Sequence, residues 1–205
     1  MPTLLQIDSS PRSASVSSAL AARYVANWKQ KHSDGKVIHH NTTLEKLPYV
    51  DEVLLSAMFS PAETLNADQK AILGQSDRLC DELIAADVLL LSVPMWNLGV
   101  PASFKSWVDL VSRAGKTFRY TSTGVETLLA PGKKAIVVSS RGGAYTAGSP
   151  AHAWDQVEPY LRTILGFLGI SDVTFVFADN QSRSGDAPAL GVATAEKQID
   201  ALPIA

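Results

Sequence analysis

The sequence predicts an α/β fold in which a doubly wound, five-stranded parallel β-sheet carries helices on both faces. Short apolar runs alternate five times with longer segments whose apolar residues recur at helical spacing. The runs in the middle of the chain are almost continuously hydrophobic, as is typical of parallel strands buried on both faces. No internal repeat or low-complexity linker interrupts the 205 residues. We therefore expect residues 1–205 to form a single domain.

The chain begins with a predicted strand and a predicted helix. Residues 3–8 form a short apolar run that ends at a cluster of serine and proline residues. Between residues 15 and 32, Leu20, Tyr24 and Trp28 recur every four positions, which is the apolar stripe of a helix packed on a sheet.

The second predicted strand, at residues 37–40, is short and polar, which favours a position near an edge of the sheet. Residues 43–65 contain two prolines and no regular apolar pattern, so we expect an irregular segment there. A long helix is predicted from Asn66, as its N-cap, to about residue 86. A buried strand is predicted at residues 88–94.

The second half of the chain repeats the alternation of helix and strand. We expect helices near residues 102–111, 155–168 and 194–202, and strands at residues 134–139 and 173–177. Strands joined by helices in this way run parallel in one sheet. With five strands, the expected arrangement is the flavodoxin-like order 2-1-3-4-5.

Charge and composition exclude several classes of function. Eighteen Lys and Arg residues stand against twenty Asp and Glu residues, a net charge of -2, whereas a nucleic-acid partner would need a basic face. Cys80 is the single cysteine, so no disulfide can form within the chain. The N-terminus has no signal-peptide pattern, and no apolar run reaches the length of a membrane span. We expect a cytoplasmic protein with no nucleic-acid partner and no membrane partner.

Three loops are the places to look for function, because open parallel sheets bind ligands at the carboxyl ends of their central strands. The first loop, at residues 8–18, contains six serines and leads directly into a helix. A helix N-terminus and neutral hydroxyl donors together suit a phosphate group. The loop lacks both the GxGxxG spacing of dinucleotide-binding folds and the Gly-Lys-Ser/Thr of a P-loop. The alternative is a serine-rich turn with an N-cap.

The second loop, at residues 94–101, follows the third strand and places a tryptophan, a methionine and an asparagine between two prolines. Such a loop can lie against a flat heteroaromatic ring while Asn97 and the backbone bind its polar edge. The alternative is a turn that covers the core, with Trp96 filling space.

The third loop, at residues 139–144, has two consecutive glycines after the fourth strand. Glycines let the backbone approach a ligand closely or adopt positive φ, although an ordinary turn is the alternative. A phosphate site, an aromatic surface and bare backbone at three neighbouring loops describe a mononucleotide with a large planar ring. This combination indicates flavin mononucleotide (FMN).

Several runs in the chain carry a family resemblance. They are PMWN at residues 94–97, AGKTFRYT at 114–121, GKKAI at 132–136, SSRGG at 139–143 and LGFLGI at 165–170. In these runs and in their order, the sequence resembles the FMN-dependent NADH-azoreductase family, whose members also act as NADH:quinone oxidoreductases. The likeness covers almost the whole chain.

The resemblance implies three groups of FMN-binding residues. The phosphate group corresponds to Ser10, Ser15, Val16 and Ser17. The group at the isoalloxazine ring corresponds to Pro94, Met95, Trp96, Asn97 and Leu98. The glycine group corresponds to Ser140, Arg141, Gly142 and Gly143. The chain departs from the family by having Trp96 where Tyr is usual and Leu98 where Phe is usual, and these changes bear on substrate preference.

The resemblance also implies a substrate pocket and a homodimer. The pocket residues are expected to be Asn97, Phe118, Tyr120 and Tyr145. Apolar residues in the segment 49–60, together with Phe118 and Tyr120, are expected to form dimer contacts that complete the partner's flavin pocket. The alternative is that this segment folds onto its own domain.

The expected activity is that of an FMN-dependent NAD(P)H oxidoreductase that reduces quinones and azo compounds by ping-pong two-electron transfer. FMN would be bound tightly and without a covalent bond, NADH or NADPH would be the co-substrate, and no side chain is assigned as a catalytic acid or base. One alternative is a flavodoxin-like FMN electron carrier without reductase activity. Another is a regulatory module that has lost the flavin.

The four histidines do not predict a metal site. His39 and His40 are adjacent on a predicted strand, so their side chains point to opposite faces and cannot share one ion. Cys80 lies among apolar residues of a predicted helix, which favours a buried and inert thiol.

Overall fold

The computed structural model describes residues 1–204. Its strands are β1 (Thr3–Asp8), β2 (Lys36–Asn41), β3 (Val88–Ser92), β4 (Phe118–Thr121), β5 (Gly124–Thr127), β6 (Lys134–Ser140) and β7 (Asp172–Ala178). Its α-helices are α1 (Val16–Lys31), α2 (Glu52–Phe59), α3 (Ala67–Ala85), α4 (Ala102–Val111), α5 (Glu158–Phe167) and α6 (Ala187–Ala201). Short 3-10 helices occur at Ala62–Thr64 and His152–Trp154.

Five strands form one parallel sheet in the order β2-β1-β3-β6-β7. When the separate hairpin of β4 and β5 is left out of the count, this order is consistent with the expected 2-1-3-4-5 arrangement. The polar strand β2 lies at an edge, as its composition predicts. All five residues of β3 are buried in the middle of the sheet.

Helices cover both faces of the sheet, as predicted. Strand residues point alternately to the two faces, so Leu5 and Ile7 of β1 join the core under α3, α4 and α5. Leu4 points the other way and joins the core under α1 and α6. The predicted stripe of α1 supplies Leu20, Tyr24 and Trp28 to that second core, and all three are buried.

The predicted cap of α3 is confirmed. The Asn66 side chain accepts the N–H of Gln69, and the Gln69 side chain accepts the N–H of Asn66, which is a complete capping box. Ser15 caps α1 in the same position, by accepting the N–H of Ser18 at 3.2 Å.

Three segments differ from the prediction. The segment 43–65 is not irregular throughout, because Asp51 caps α2 and this helix buries Leu54 and Ala57 against the core. The hairpin of β4 and β5 was not predicted. Helix α6 begins at Ala187 instead of near residue 194, and its first two turns bury no side chain that would have revealed them in the sequence.

Candidate functional site

The three predicted loops meet at the carboxyl edge of the sheet and line one cavity of about 400 Å³. The lining residues are Ser10, Arg12, Ser15, Val16, Pro94, Met95, Trp96, Asn97, Ser140, Arg141, Gly142, Gln181 and Ser182. A second cavity of about 480 Å³ adjoins the first and is lined by Met95, Asn97, Leu98, Gly142, Tyr145 and Ser182. Both volumes lie in the range of ordinary ligand and cofactor sites.

The serine loop (residues 9–15) delivers hydrogen-bond donors to one end of the first cavity. Helix α1 begins at Val16, and the N–H groups of Val16 and Ser17 have no acceptor among residues 1–204. The hydroxyl oxygens of Ser15 and of the fully buried Ser17 are 3.2 Å apart. Arg12 lines the same end and makes no ion pair within the described part of the chain. This end is therefore rich in donors and carries a free positive charge, which suits a phosphate.

The tryptophan turn (residues 96–99) is a tight two-residue turn. Trp96 and Gly99 exchange both backbone hydrogen bonds, at 2.9 and 3.0 Å. Between them Asn97 has φ 46° and Leu98 has φ 74°, so two consecutive non-glycine residues occupy the left-handed region. The Leu98 carbonyl accepts the N–H of Gln156 at 3.0 Å. Trp96 is 46% exposed, so it lines the cavity and does not fill the core.

The glycine loop (residues 140–143) pairs along its length with the segment 180–182 that follows β7. The carbonyls of Arg141, Gly142 and Gly143 accept the N–H groups of Gln181, Ser182 and Asn180, at 2.9, 3.1 and 3.2 Å. The N–H groups of Gly142 and Gly143 have no acceptor within residues 1–204, so they remain available to a ligand.

The Ser182 side chain lies close to Gly142. Neither Gly142 nor Gly143 has a positive φ. A Cβ atom on Gly142 would lie 2.9 Å from the Ser182 hydroxyl oxygen, so a side chain there would require that hydroxyl group to rotate away.

The Arg141 side chain is fully buried and is engaged by the protein itself. It binds Asp155 at 3.0 Å and Asp179 at 2.6 and 3.0 Å, and its guanidinium lies 3.6 Å from the centre of the Phe177 ring. The backbone N–H of Arg141 donates to the carbonyl of Ala178, and its carbonyl accepts the N–H of Gln181, so the hydrogen-bonding groups of this residue are engaged within the protein.

Of the residues expected at the substrate pocket, Asn97 and Tyr145 line the second cavity. Phe118 and Tyr120 lie on the hairpin and line neither cavity of this chain. Phe118 is buried against Phe167, with ring centres 4.7 Å apart, and Tyr120 is 72% exposed. These two aromatics are thus not brought to the site within one chain.

Sequence reasoning missed three lining residues: Arg12, Gln181 and Ser182. Arg12 lies inside the serine loop, and its charge was a signal that could have been used. Gln181 and Ser182 follow the edge strand β7, whereas the expected ligand-binding loops are those after the central strands.

The histidines have separate partners. His39 contacts Asp8 at 2.8 Å, whereas His40 lies on the other face of the sheet between Glu45 and Glu82. Within residues 1–204, no group of three or more His, Cys, Asp and Glu residues is arranged to hold a metal ion. In the same residues, no helix has both the length and the apolar character that a bilayer crossing requires.

Sequence comparison finds relatives that match nearly the whole chain. A family model described as a flavodoxin-like fold matches residues 2–202. A protein of Azotobacter vinelandii named FMN-dependent NADH:quinone oxidoreductase is 43% identical over 200 residues, which cover 97% of this chain and 98% of the relative. A protein of a Nostoc species with the same name is 40% identical over 200 residues and 97% of each chain.

Structure comparison agrees with these relatives. The crystal structure of an azoreductase from Bacillus anthracis matches with a TM-score of 0.88 at 25% sequence identity, over 97% of both chains.

Proposed function

The chain belongs to the flavodoxin-like-fold family that includes FMN-dependent NADH:quinone oxidoreductases, and we propose that it is itself an FMN-dependent NADH oxidoreductase that reduces quinones and azo compounds. The observation that carries the proposal is the pair of adjoining cavities at the carboxyl edge of the sheet. One cavity suits a mononucleotide, and the other leaves room beside it for a second small molecule.

The donor set of the first cavity fits FMN. The free N–H groups of Val16 and Ser17, the hydroxyls of the serine loop and the Arg12 cation match a dianionic phosphate. Trp96 and Met95 supply apolar surface for the ring system. The N–H groups of Gly142 and Gly143 can donate to carbonyl and nitrogen acceptors on the polar edge of that ring.

When bound, FMN supplies the hydride and two-electron chemistry of the reaction. The serine loop and the start of α1 would hold the phosphate, and the tryptophan turn and the glycine loop would hold the ring. N–H donors fixed at the ring's polar edge stabilise negative charge there without having to reorganise. Met95, Leu98 and Tyr145 line the second cavity and would supply apolar and aromatic surface to a molecule bound beside the ring.

A shared binding place beside the flavin supports the expected ping-pong order. NADH and the electron acceptor would both have to reach the flavin ring, and the second cavity adjoins the first. The nicotinamide must leave before a quinone or an azo compound can enter.

The whole chain works, in this proposal, as one FMN-binding domain, and two copies associate as a homodimer in the cytoplasm, where NADH is produced. Support for the dimer comes from apolar side chains of the segment 49–59 that a monomer would leave in water: Tyr49, Val50, Val53, Leu55 and Phe59. Tyr120 and Val125 on the hairpin are exposed as well. A partner subunit that covers these residues could bring the hairpin aromatics to a flavin site.

The enzyme is favoured over an FMN electron carrier by the second cavity. A carrier that delivers electrons to protein partners has no need of a small-molecule site beside the flavin. The named relatives also favour the enzyme, because they are oxidoreductases that use NADH.

Anaerobic reduction tests the proposal. The purified protein is loaded with FMN and mixed with NADH, and the yellow absorbance is expected to bleach. Addition of a soluble naphthoquinone or an azo dye is expected to restore the colour in a second, separate phase. A protein that holds FMN and is bleached by dithionite but not by NADH would contradict the enzyme and indicate the carrier.

A further inference from the structure

We propose that Arg141 is a positioning residue whose buried guanidinium holds the walls of the FMN cavity together, so that the N–H groups of Gly142 and Gly143 face the ring. This inference rests on the proposed function. It gives the side chain of Arg141, a residue that the resemblance places in the glycine group, a positioning role, and it extends to Asp155 and Asp179, which the sequence did not single out. We refer to these three residues as the Arg141 cluster.

The cluster is formed by one cation and two carboxylates beneath the cavity. The Asp179 carboxylate accepts hydrogen bonds from Nε and Nη2 of Arg141 at 2.6 and 3.0 Å, which is a bidentate pair. Asp155 accepts from Nη1 at 3.0 Å. The side chains of Arg141 and Asp155 are 0% and 3% exposed, and the flat face of the guanidinium lies on the ring of Phe177. Two carboxylates and one aromatic ring thus hold the guanidinium in place.

The pair with Asp179 joins the glycine loop to the segment after β7. Arg141 directly precedes Gly142, and Asp179 directly precedes the segment 180–182 whose N–H groups bind the carbonyls of the glycine loop. These backbone hydrogen bonds take up the carbonyls and turn the free N–H groups of Gly142 and Gly143 away from the partner loop. The ion pair between Arg141 and Asp179 lies at the base of these two loops and holds them at a fixed separation.

The pair with Asp155 joins the same two loops to the tryptophan turn. One oxygen of Asp155 binds Arg141, and the other accepts the N–H groups of Val157 and Glu158 at the start of α5, at 2.8 and 3.1 Å. The next residue, Gln156, donates its N–H to the carbonyl of Leu98. A chain of contacts therefore runs from Arg141 through Asp155 and Gln156 to the turn that lies against the ring.

Arginine is required for this arrangement because its donors form a rigid plane that can bind two carboxylates and stack on an aromatic ring at once. A lysine ammonium keeps the charge but cannot satisfy both carboxylates in the same geometry. Fixed donors bind a ligand more tightly than mobile ones, since less conformational entropy is lost on binding. The expected consequence of disturbing the cluster is a weaker hold on the ring end of FMN, with the phosphate end unchanged.

Flavin titration tests this inference, with FMN and riboflavin compared on each variant. The test variants are Arg141→Lys and Asp179→Asn, the second of which keeps the side-chain shape and leaves Arg141 paired with Asp155. The matched control is Arg162→Lys, because Arg162 on α5 also pairs with a carboxylate, Glu158, and lies 4.5 Å from a phenylalanine ring of β7, Phe175. Arg12→Gln serves as the reference for loss of a phosphate contact.

For each variant, the ratio of the affinities for FMN and for riboflavin identifies the role of the substituted residue. We expect Arg141→Lys and Asp179→Asn to weaken FMN and riboflavin by the same factor, about tenfold, and to alter the visible circular dichroism of bound flavin. Arg162→Lys is expected to change neither the two affinities nor the circular dichroism. Arg12→Gln is expected to weaken the binding of FMN but not that of riboflavin. The unfolding midpoint of each variant is measured without flavin, so that affinities are compared only for folded protein.

Three results would overturn the inference. If Arg141→Lys weakened FMN but not riboflavin, the arginine would be a phosphate ligand. If both test variants lost stability but kept wild-type affinities and dichroism, the cluster would serve folding only. If Arg141→Lys failed to fold, Asp179→Asn alone would decide, and unchanged affinities there would refute the inference. Failure of wild-type protein to bind FMN would refute the proposed function instead, so the two failures are distinguishable.

Discussion

Leu98 holds a backbone conformation that a leucine rarely adopts. Its φ of 74° follows an Asn97 φ of 46°, and a turn of this kind normally has glycine in its second position. A side chain in the left-handed region costs about 1–2 kcal/mol. The Leu98 side chain lines the second cavity, and its carbonyl is held by Gln156. We infer that the strain is retained because this side chain shapes the space in which substrates bind.

Two substitutions of Leu98 separate the effect of its backbone strain from the effect of its side chain in the second cavity. Leu98→Gly and Leu98→Ala both remove the side chain, but only the glycine variant relieves the backbone. We expect Leu98→Gly to be more stable than Leu98→Ala by about 1 kcal/mol, as measured by urea unfolding. Both variants are expected to change KM for the electron acceptor to a similar extent. An alanine variant as stable as the glycine variant would show that the turn is not strained.

Cys80 makes stability sensitive to alkaline pH. The thiol is fully buried, and burial raises its pKa from 9.0 to about 11. The folded protein keeps the proton up to about pH 11, whereas the unfolded chain loses it near pH 9, so the free energy of unfolding falls as the pH rises between these values.

The corresponding variant is Cys80→Ala. We expect it to be less stable than wild type at pH 8, because it leaves a small cavity, but to lose less stability on going to pH 10.5. The difference between the two proteins should shrink by about 2 kcal/mol over that interval, as measured by urea unfolding. A difference that stays constant with pH would mean that the Cys80 thiol does not titrate differently in the two states.

At the scale of elements, helix α6 lies against the loop that follows β7. A Cβ atom on Gly191 would lie 2.1 Å from the carbonyl oxygen of Asp179, so glycine at this position permits close contact between the helix and the base of the Arg141 cluster. Gly74 in α3 is also inside a helix, but a Cβ atom there would meet nothing within 4 Å.

The two glycines form a matched pair for mutation. Gly191→Ala is expected to lower the free energy of unfolding by about 1–3 kcal/mol, because backbone cannot yield as a flexible side chain can. Gly74→Ala is expected to raise it by about 0.5–1 kcal/mol through helix propensity alone. Thermal or urea unfolding measures both. Equal effects of the two substitutions would contradict the packing described for α6.

Element prediction succeeded where a local pattern exists. Strands β1, β3, β6 and β7 are apolar runs, and helices α1 and α3 have an apolar period or a cap, so each can be recognised within the element. Helix α2 has its own cap, Asp51, but its exposed apolar residues obscure the period. The hairpin of β4 and β5 is held by pairing and by contact with α5, which a single segment does not reveal.

At the scale of the whole molecule, the exposed apolar side chains are distributed unevenly. Five of them lie in the segment 49–59, and two more, Tyr120 and Val125, form a cross-strand pair on the hairpin. Exposed apolar residues that are concentrated in this way are typical of interaction surfaces. It supports the homodimer that we propose.

Charged substitutions test the dimer. Phe59→Asp is expected to shift the protein from a species of twice the chain mass to a monomer, as measured by light scattering during gel filtration. Leu190→Asp is the control, because Leu190 on α6 is 65% exposed, close to the 77% of Phe59. A wild-type protein that elutes as a monomer, or a Leu190→Asp variant that dissociates equally, would contradict the role of this segment.

The sequence alone determined the alternation of strands and helices and the three loops at the carboxyl edge, because these follow from local periodicity and from a general rule of parallel sheets. It also identified most of the residues that line the first cavity, on all three loops. Only the tertiary structure decided which partners the polar side chains of the site contact. The Arg141 side chain binds carboxylates 14 and 38 residues away instead of pointing into the cavity, and Ser182 lines the cavity from the segment that follows the edge strand β7. Such choices depend on partners that are distant along the chain, and no local pattern encodes them.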